Sequence, residues 1–232
     1  MRFAVTDGRI DAQPSAGGLA SALHAVRGDA VWIGWPGAVV PESLETRVTK
    51  RLARDNLVPV FLSADEEEDF YGRACNDTLW PLLHYFGDRM RLTPEAWERY
   101  EQVNERFADR ILEHCGPDSR VWVHDFHLML VPAMLRRRAP RLAVGFFLHT
   151  PFPSSEVYRL LPARAQVLRG LLGADYVSFQ VGDYARHFRS SCLRVLGLDS
   201  DPDGLEYEGQ KTPYDVLLLS ADGSARVYQS YR

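Results

Sequence analysis

Lysine is nearly absent: Lys50 and Lys211 are the only two among 27 basic residues in a chain of 232. Arginine's planar fork suits phosphate oxygens, but an arginine-favouring codon bias gives the same skew, so nothing is drawn from it. Basic residues are also outnumbered by 31 acidic ones, for a net charge of −4. A general nucleic-acid binder carries a basic excess instead. Cysteine is scarce. Cys75, Cys115 and Cys192 are odd in number and far apart, and supply neither a disulfide framework nor a zinc knuckle. No uncharged apolar run approaches the ~20 residues that a membrane helix needs. The opening MRFAVTDGRIDA lacks the basic start and apolar stretch of a signal peptide. These absences predict a cytoplasmic soluble protein with no nucleic-acid or membrane partner. What is present, 46% hydrophobic and 25% charged residues, suffices for a sizeable core.

Short β-branched or aromatic runs alternate with longer helical patterns. Strands are expected at 3–6, 30–35, 58–62, 120–124, 143–149 and 176–180, with weaker ones at 215–219 and 225–229. Helices are expected at 18–26, 41–54, 65–75, 94–115, 127–138, 163–172 and 183–196. In the fourth helix, Trp97, Tyr100, Val103, Phe107, Ile111 and Leu112 step by three and four, which marks one buried face. The runs Val121–Val123 and Val144–Leu148 are almost wholly apolar, as in parallel strands covered on both sides. The alternation predicts an α/β fold with a doubly wound, Rossmann-like parallel sheet over residues 1–198. The acidic run 65–69 after Ser63 reads as a solvated helix start. Residues 199–232 read as a turn-rich tail with a hairpin across Ala221-Asp222-Gly223-Ser224, too short for a second domain.

In an open parallel sheet, ligands sit beyond the carboxyl ends of the strands. After the first strand come Thr6-Asp7-Gly8-Arg9 and then Ser15-Ala16-Gly17-Gly18-Leu19, which opens a helix. The paired glycines suit either a diphosphate cradle or a tight turn without a ligand; Arg9 adds a cation. His124-Asp125-Phe126-His127 follows another strand and offers a carboxylate to sugar hydroxyls. Its His-x-x-His spacing could hold a metal, but no third ligand is evident. His149-Thr150-Pro151-Phe152-Pro153 follows the next strand, and its prolines restrain His149. The stretch from Tyr71 through Trp80 to Tyr85 is both aromatic and polar, fit for a sugar's C–H face or for a core. The residues alone thus point to a phosphosugar or nucleotide ligand and name no reaction.

These blocks, with Trp32-Ile33-Gly34-Trp35-Pro36-Gly37, Ser154-Ser155-Glu156-Val157-Tyr158 and Phe179-Gln180…Asp183-Tyr184-Ala185-Arg186-His187-Phe188, resemble the trehalose-6-phosphate synthase family. They occur in that family's order over residues 2–209. The resemblance implies the N-terminal, acceptor half of a GT-B fold. It also implies glucosyl transfer from UDP-glucose to glucose 6-phosphate with retention, with no metal or cofactor. Arg9 would bind the acceptor phosphate; Tyr71 and Asp125 would hold the acceptor sugar. Trp80 and Thr150 would shape anomer selectivity. Gly17 and Gly18 would approach the donor diphosphate, and His149, the catalytic candidate, would contact the transferred glucose. The implied mechanism is front-face: the departing phosphate takes the acceptor hydroxyl's proton, so no glycosidase-like carboxylate pair is needed. The sequence departs from the family at Asp7-Gly8, at Phe126, and over 213–232, where the donor domain is expected and not recognisable. UDP-glucose is therefore expected to bind weakly or only with a second domain, for which a separate donor-domain polypeptide is the candidate partner. The alternative is a non-catalytic sugar-phosphate-binding or regulatory module.

Overall fold

The computed structural model describes residues 2–6, 9–13, 30–116, 118–201, 204–219 and 225–228, with side chains over 30–116, 118–201 and 204–215. These form two compact units, one running to Glu68 and the other spanning Asp69–Leu218.

In the first unit, β1 (Arg2–Thr6) pairs antiparallel with β2 (Arg9–Gln13), Thr6 facing Arg9. The sequence reading placed Arg9 in a loop. It instead opens a strand, and the signal was the Asp7-Gly8 pair, a strong two-residue hairpin cue. The expected helix 18–26, with Gly17 and Gly18, lies outside the described residues. Further on, β3 (Trp32–Gly34) and β4 (Leu57–Pro59) run parallel, connected through α1 (Glu42–Ala53). Glu42 and Glu45 in the first turn of α1, and Lys50 and Arg51 in its last, complement the helix dipole. Its Val48 and Leu52 are buried with Val40, against Leu44, Leu57 and Phe61. Ser63 caps α2 (Ala64–Glu66) reciprocally: its hydroxyl accepts from the Glu66 N–H at 3.2 Å, and the Glu66 carboxylate accepts from the Ser63 N–H at 2.9 Å.

The second unit is built on a sheet ordered β12-β11-β7-β6-β5. Four of its strands are parallel: β5 (Arg120–His124), β6 (Ala143–Leu148), β7 (Tyr176–Phe179) and β11 (Tyr214–Leu219). β12 is Ala225–Tyr228. β11, expected as one arm of a hairpin, is thus also a strand of the main sheet, registered Tyr214 to Val177. Between β7 and β11 the chain makes an antiparallel meander, β8 (Ser200–Asp201), β9 (Gly204–Tyr207) and β10 (Gln210–Thr212). Part of it was read as a turn-rich break. Thr212 and Gln210 fasten it by donating to the Ala174 carbonyl at 3.1 and 2.7 Å.

A helical stretch opens this unit. Residues Glu67–Leu79 form a π-helix that continues into α3 (Trp80–Leu83). An ordinary α-helix was expected over 65–75. Near the end of the π-helix the buried Thr78 hydroxyl lies within hydrogen-bonding distance of two main-chain carbonyls, those of Arg91 at 2.5 Å and Arg73 at 3.0 Å. Pro81 has no N–H to offer the preceding turn, and the Asp77 carbonyl accepts from Arg91 N–H at 2.8 Å instead. Beyond it, α4 (Pro94–Leu112) is capped by Thr93 and buries Trp97, Tyr100, Val103, Phe107 and Ile111, as the spacing predicts. α5 (Val131–Arg138), α6 (Ser155–Tyr158), α7 (Arg164–Leu171) and α8 (Gly182–Ser191) complete the layer. α7 approaches the backbone preceding α5 closely enough that a Cβ on Gly170 would lie 2.4 Å from the Met129 carbonyl oxygen.

Candidate functional site

β5 and β6 end side by side, His124 registered with Phe147, so the residues that follow converge at one end of the sheet. Asp125 follows β5 with φ 69° and ψ 170°. This is a conformation an L-residue adopts at a cost of about 1–3 kcal/mol. Its own N–H donates to the Phe147 carbonyl at 2.8 Å, and two buried residues of α4 hold the turn beyond it. The Tyr100 hydroxyl donates to the Phe126 carbonyl at 2.7 Å and accepts from the Met129 N–H at 3.1 Å. The Asn104 amide donates to the His127 carbonyl at 3.0 Å, and its oxygen accepts from the Leu130 N–H at 3.2 Å. Each bond satisfies a backbone group that would be costly to leave bare. A helix from earlier in the chain therefore fixes the loop that aims the carboxylate.

That carboxylate accepts from the His149 N–H at 3.3 Å and also from the Phe126 and Thr150 N–H groups. Burial pushes its pKa up to about 6, against the three N–H donors and the nearby His84. Behind it, His124 Nδ1 lies 3.0 Å from His149 Nε2. Burial, reinforced by the neighbouring His149, pushes His124 down to about 3; burial alone lowers His149 to about 4 and His127 to about 4. All three imidazoles are neutral at pH 7. His149 also sits edge-on to Phe147, ring centres 4.4 Å apart. Downstream, Phe152 anchors the segment among Tyr158, Phe179 and Phe188. Its carbonyl accepts from His187 Nδ1 at 2.9 Å.

Tyr71, on the π-helix, stacks on His127 with ring centres 5.7 Å apart. Trp80 is 42% exposed and stacks on His84 at 4.2 Å. His84 Nδ1 in turn donates to the Trp80 carbonyl at 2.8 Å. The Thr150 hydroxyl is buried without a hydrogen-bond partner among the described residues. Of the residues singled out in the sequence, the second unit thus gathers Asp125 with His149 and Thr150, Tyr71 through His127, and Trp80 through His84. Arg9 belongs to the first unit, and its side chain is not among those described; Gly17 and Gly18 are likewise outside. The two histidines of His124-Asp125-Phe126-His127 have different partners, and no group of three metal-binding side chains occurs among the described residues. Sequence reasoning missed Asn104. Its signal was an asparagine beside an otherwise apolar helical face, a polar group that burial obliges to find partners.

An ionised carboxylate, neutral imidazole nitrogens, a spare hydroxyl and flanking aromatic faces can together grip a polyhydroxylated ring. The polar groups orient hydroxyls, and the rings meet C–H faces.

Comparison with known proteins bears on this site. The model of glycosyltransferase family 20 matches residues 1–226. The 56 kDa subunit of alpha,alpha-trehalose-phosphate synthase (UDP-forming) from Saccharomyces cerevisiae is 42% identical over 223 residues, 93% of this chain and 45% of its own. A synthase of the same name from Arabidopsis thaliana is 45% identical over 217 residues, 90% of this chain and 23% of its own. This chain therefore spans less than half the length of these relatives, over their N-terminal part. Among solved structures, an alpha,alpha-trehalose-phosphate synthase (UDP-forming) from Burkholderia xenovorans in complex with glucose-6-phosphate superposes with a TM-score of 0.77. It is 27% identical, over 88% of this chain and 46% of that one. The N-terminal domain of Candida albicans trehalose-6-phosphate phosphatase gives 0.75 at 33% identity, over 87% of this chain and 44% of that one.

Proposed function

The chain belongs to glycosyltransferase family 20 and has the fold of the N-terminal half of GT-B trehalose-phosphate synthases; on that premise we propose that it is the acceptor-binding half of such an enzyme. The reaction is glucosyl transfer from UDP-glucose to glucose 6-phosphate. The bond from the anomeric carbon to the diphosphate breaks, and the acceptor oxygen attaches on the same face. Its proton passes to the departing diphosphate, giving trehalose 6-phosphate and UDP. Asp125 and Tyr71 hold the acceptor sugar and Arg9 its phosphate. His149 contacts the transferred glucose, Trp80 and Thr150 select the anomer, and Gly17 and Gly18 meet the diphosphate. Stabilising the departing diphosphate is the main electrostatic demand of such chemistry, and a donor domain, on the same or another polypeptide, supplies most of it. The setting is the cytoplasm; no helix among the described residues is long and apolar enough to cross a membrane.

The observation that carries this reading is the pairing of Asp125 with the His149 N–H at the ends of adjacent parallel strands. Two relatives support the ligand classes: one structure is in complex with glucose-6-phosphate, and another, from E. coli, is bound with UDP-2-fluoro glucose. Calorimetry tests it. Glucose 6-phosphate binds the chain more tightly than UDP-glucose does, and Asp125→Asn weakens it; no detectable glucose 6-phosphate binding refutes the proposal. Arg9→Ala weakens glucose 6-phosphate far more than glucose, since a charge-assisted contact is lost.

A second reading, a sugar-phosphate-binding module without turnover, is favoured by one observation: the same fold occurs as the N-terminal domain of a protein named as a phosphatase. A UDP-release assay with a donor domain added separates the two. Turnover supports the first reading, and binding without turnover the second.

A further inference from the structure

We propose that His124 is a positioning residue that fixes the tautomer of His149, leaving His149 Nδ1 as a hydrogen-bond acceptor for a sugar hydroxyl. The inference deepens the proposed function and rests on it for the ligand.

His124 Nδ1 and His149 Nε2 approach to 3.0 Å. Two ring nitrogens at that distance must share one proton: with none the lone pairs repel, and with two the hydrogens collide. Both rings are held neutral by burial, so each has one N–H and one bare nitrogen. Only two arrangements remain. In the first, His124 Nδ1–H donates, and both rings are forced into the Nδ1–H form. In the second, His149 Nε2–H donates, and both rings take the Nε2–H form. A neutral imidazole side chain intrinsically favours carrying its hydrogen on Nε2, so the second arrangement has two preferences in its favour and the first has none.

The surroundings hold this pair still. His124 closes β5 with its ring 4.6 Å from Trp122, and Phe147 stands edge-on to His149. The His149 backbone N–H is tied to Asp125. His149 Nδ1 makes no hydrogen bond among the described residues, and in the second arrangement it presents a lone pair there. Asp125 accepts hydrogen bonds beside it. The site is then rich in acceptors, suited to a ligand whose hydroxyls all donate, and His124 reaches it only through His149.

Long-range proton–nitrogen NMR of the chain with ring-15N histidine reads each nitrogen directly, because a bare ring nitrogen resonates far downfield of a protonated one. His149 is expected to show a protonated Nε2 and a bare Nδ1. A protonated Nδ1, or shifts averaged between the two forms, overturns the proposal. His124→Phe keeps the ring's bulk and removes the acceptor, so His149 is expected to drift to averaged shifts. His124→Gln, whose amide oxygen can accept, restores the wild-type pattern. An unchanged His149 spectrum in His124→Phe overturns the positioning role. If His124→Phe does not fold, the wild-type and His124→Gln spectra still decide. With a donor domain added, UDP-glucose supplies the ligand readout: a His149 divided equally between the two forms keeps its acceptor in half the molecules and weakens binding about twofold in His124→Phe, and undiminished binding alongside averaged shifts refutes the link to the sugar. Failure of wild type to bind glucose 6-phosphate, with the tautomer as expected, refutes the proposed function and leaves the tautomer assignment standing.

Discussion

The backbone of Asp125 offers a sharp test through two substitutions that share one loss. Asp125→Ala and Asp125→Gly both delete the carboxylate and the bonds it accepts from the His149, Phe126 and Thr150 N–H groups. They differ in one respect: alanine must still adopt φ 69° and ψ 170°, at a cost of about 1–3 kcal/mol for an L-residue, whereas glycine adopts it freely. Glycine's greater freedom in the unfolded chain takes back roughly 0.5–1 kcal/mol. The glycine variant should therefore be the more stable by about 1–2 kcal/mol, unlike the usual order for this pair. Urea unfolding reads the difference directly. With a slope of about 2 kcal/mol per molar, the glycine midpoint lies roughly 0.5–1 M above the alanine midpoint, with the slope unchanged. Neither variant should bind glucose 6-phosphate. An alanine variant as stable as the glycine one would refute the claim that this loop is held in a costly conformation for the sake of its carboxylate.

Asn104→Leu leaves the His127 carbonyl and the Leu130 N–H bare in the interior, and should lower stability by about 2–4 kcal/mol in the same assay while weakening glucose 6-phosphate in calorimetry. Gly170→Ala should destabilise despite alanine's better helix propensity, by about 1–3 kcal/mol, because its Cβ meets the Met129 carbonyl. The histidines set the acid limb. Their pKa values of about 3 and 4 lie below the ordinary 6.5, so the unfolded chain binds their protons first. Stability from this source is complete above pH 6.5 and is lost as the pH falls toward 4. Asp125 acts oppositely, since its value of about 6 lies above the ordinary 3.8 and its protonation favours the folded chain between about pH 6 and 4. Three imidazoles outweigh one carboxyl, so circular dichroism should show net destabilisation over that range. Replacing His127, which packs between Tyr71 and Phe126, by phenylalanine should make it shallower.

The elements that build the site were the most legible in the sequence, because parallel strands buried on both faces leave nearly unbroken apolar runs, as in 121–123 and 144–148, and because a long helix such as α4 repeats its apolar spacing over several turns. Asp125 and His149 then followed from their place just past such strands. Other features left weaker traces. The π winding of 67–79 runs up to a proline-bearing turn, and the Asp77 carbonyl that Pro81 cannot serve finds its partner outside the helix, in the Arg91 N–H. β11 has the same local pattern whether it turns back in a hairpin or lies beside β7; only the meander docked on Ala174 delivers it to the sheet. The pairing of His124 with His149 spans 25 residues and has no local signature, since two strand ends become neighbours only once register is set.

The turn after β5 is secured from behind by Tyr100 and Asn104, neither of which belongs to the group proposed to touch sugar. The carboxylate is consequently aimed before any hexose arrives, and docking should demand little loss of chain freedom at this rim. Empty and occupied forms ought to superpose here, with affinity governed by how well the guest's hydroxyls match a mould already set.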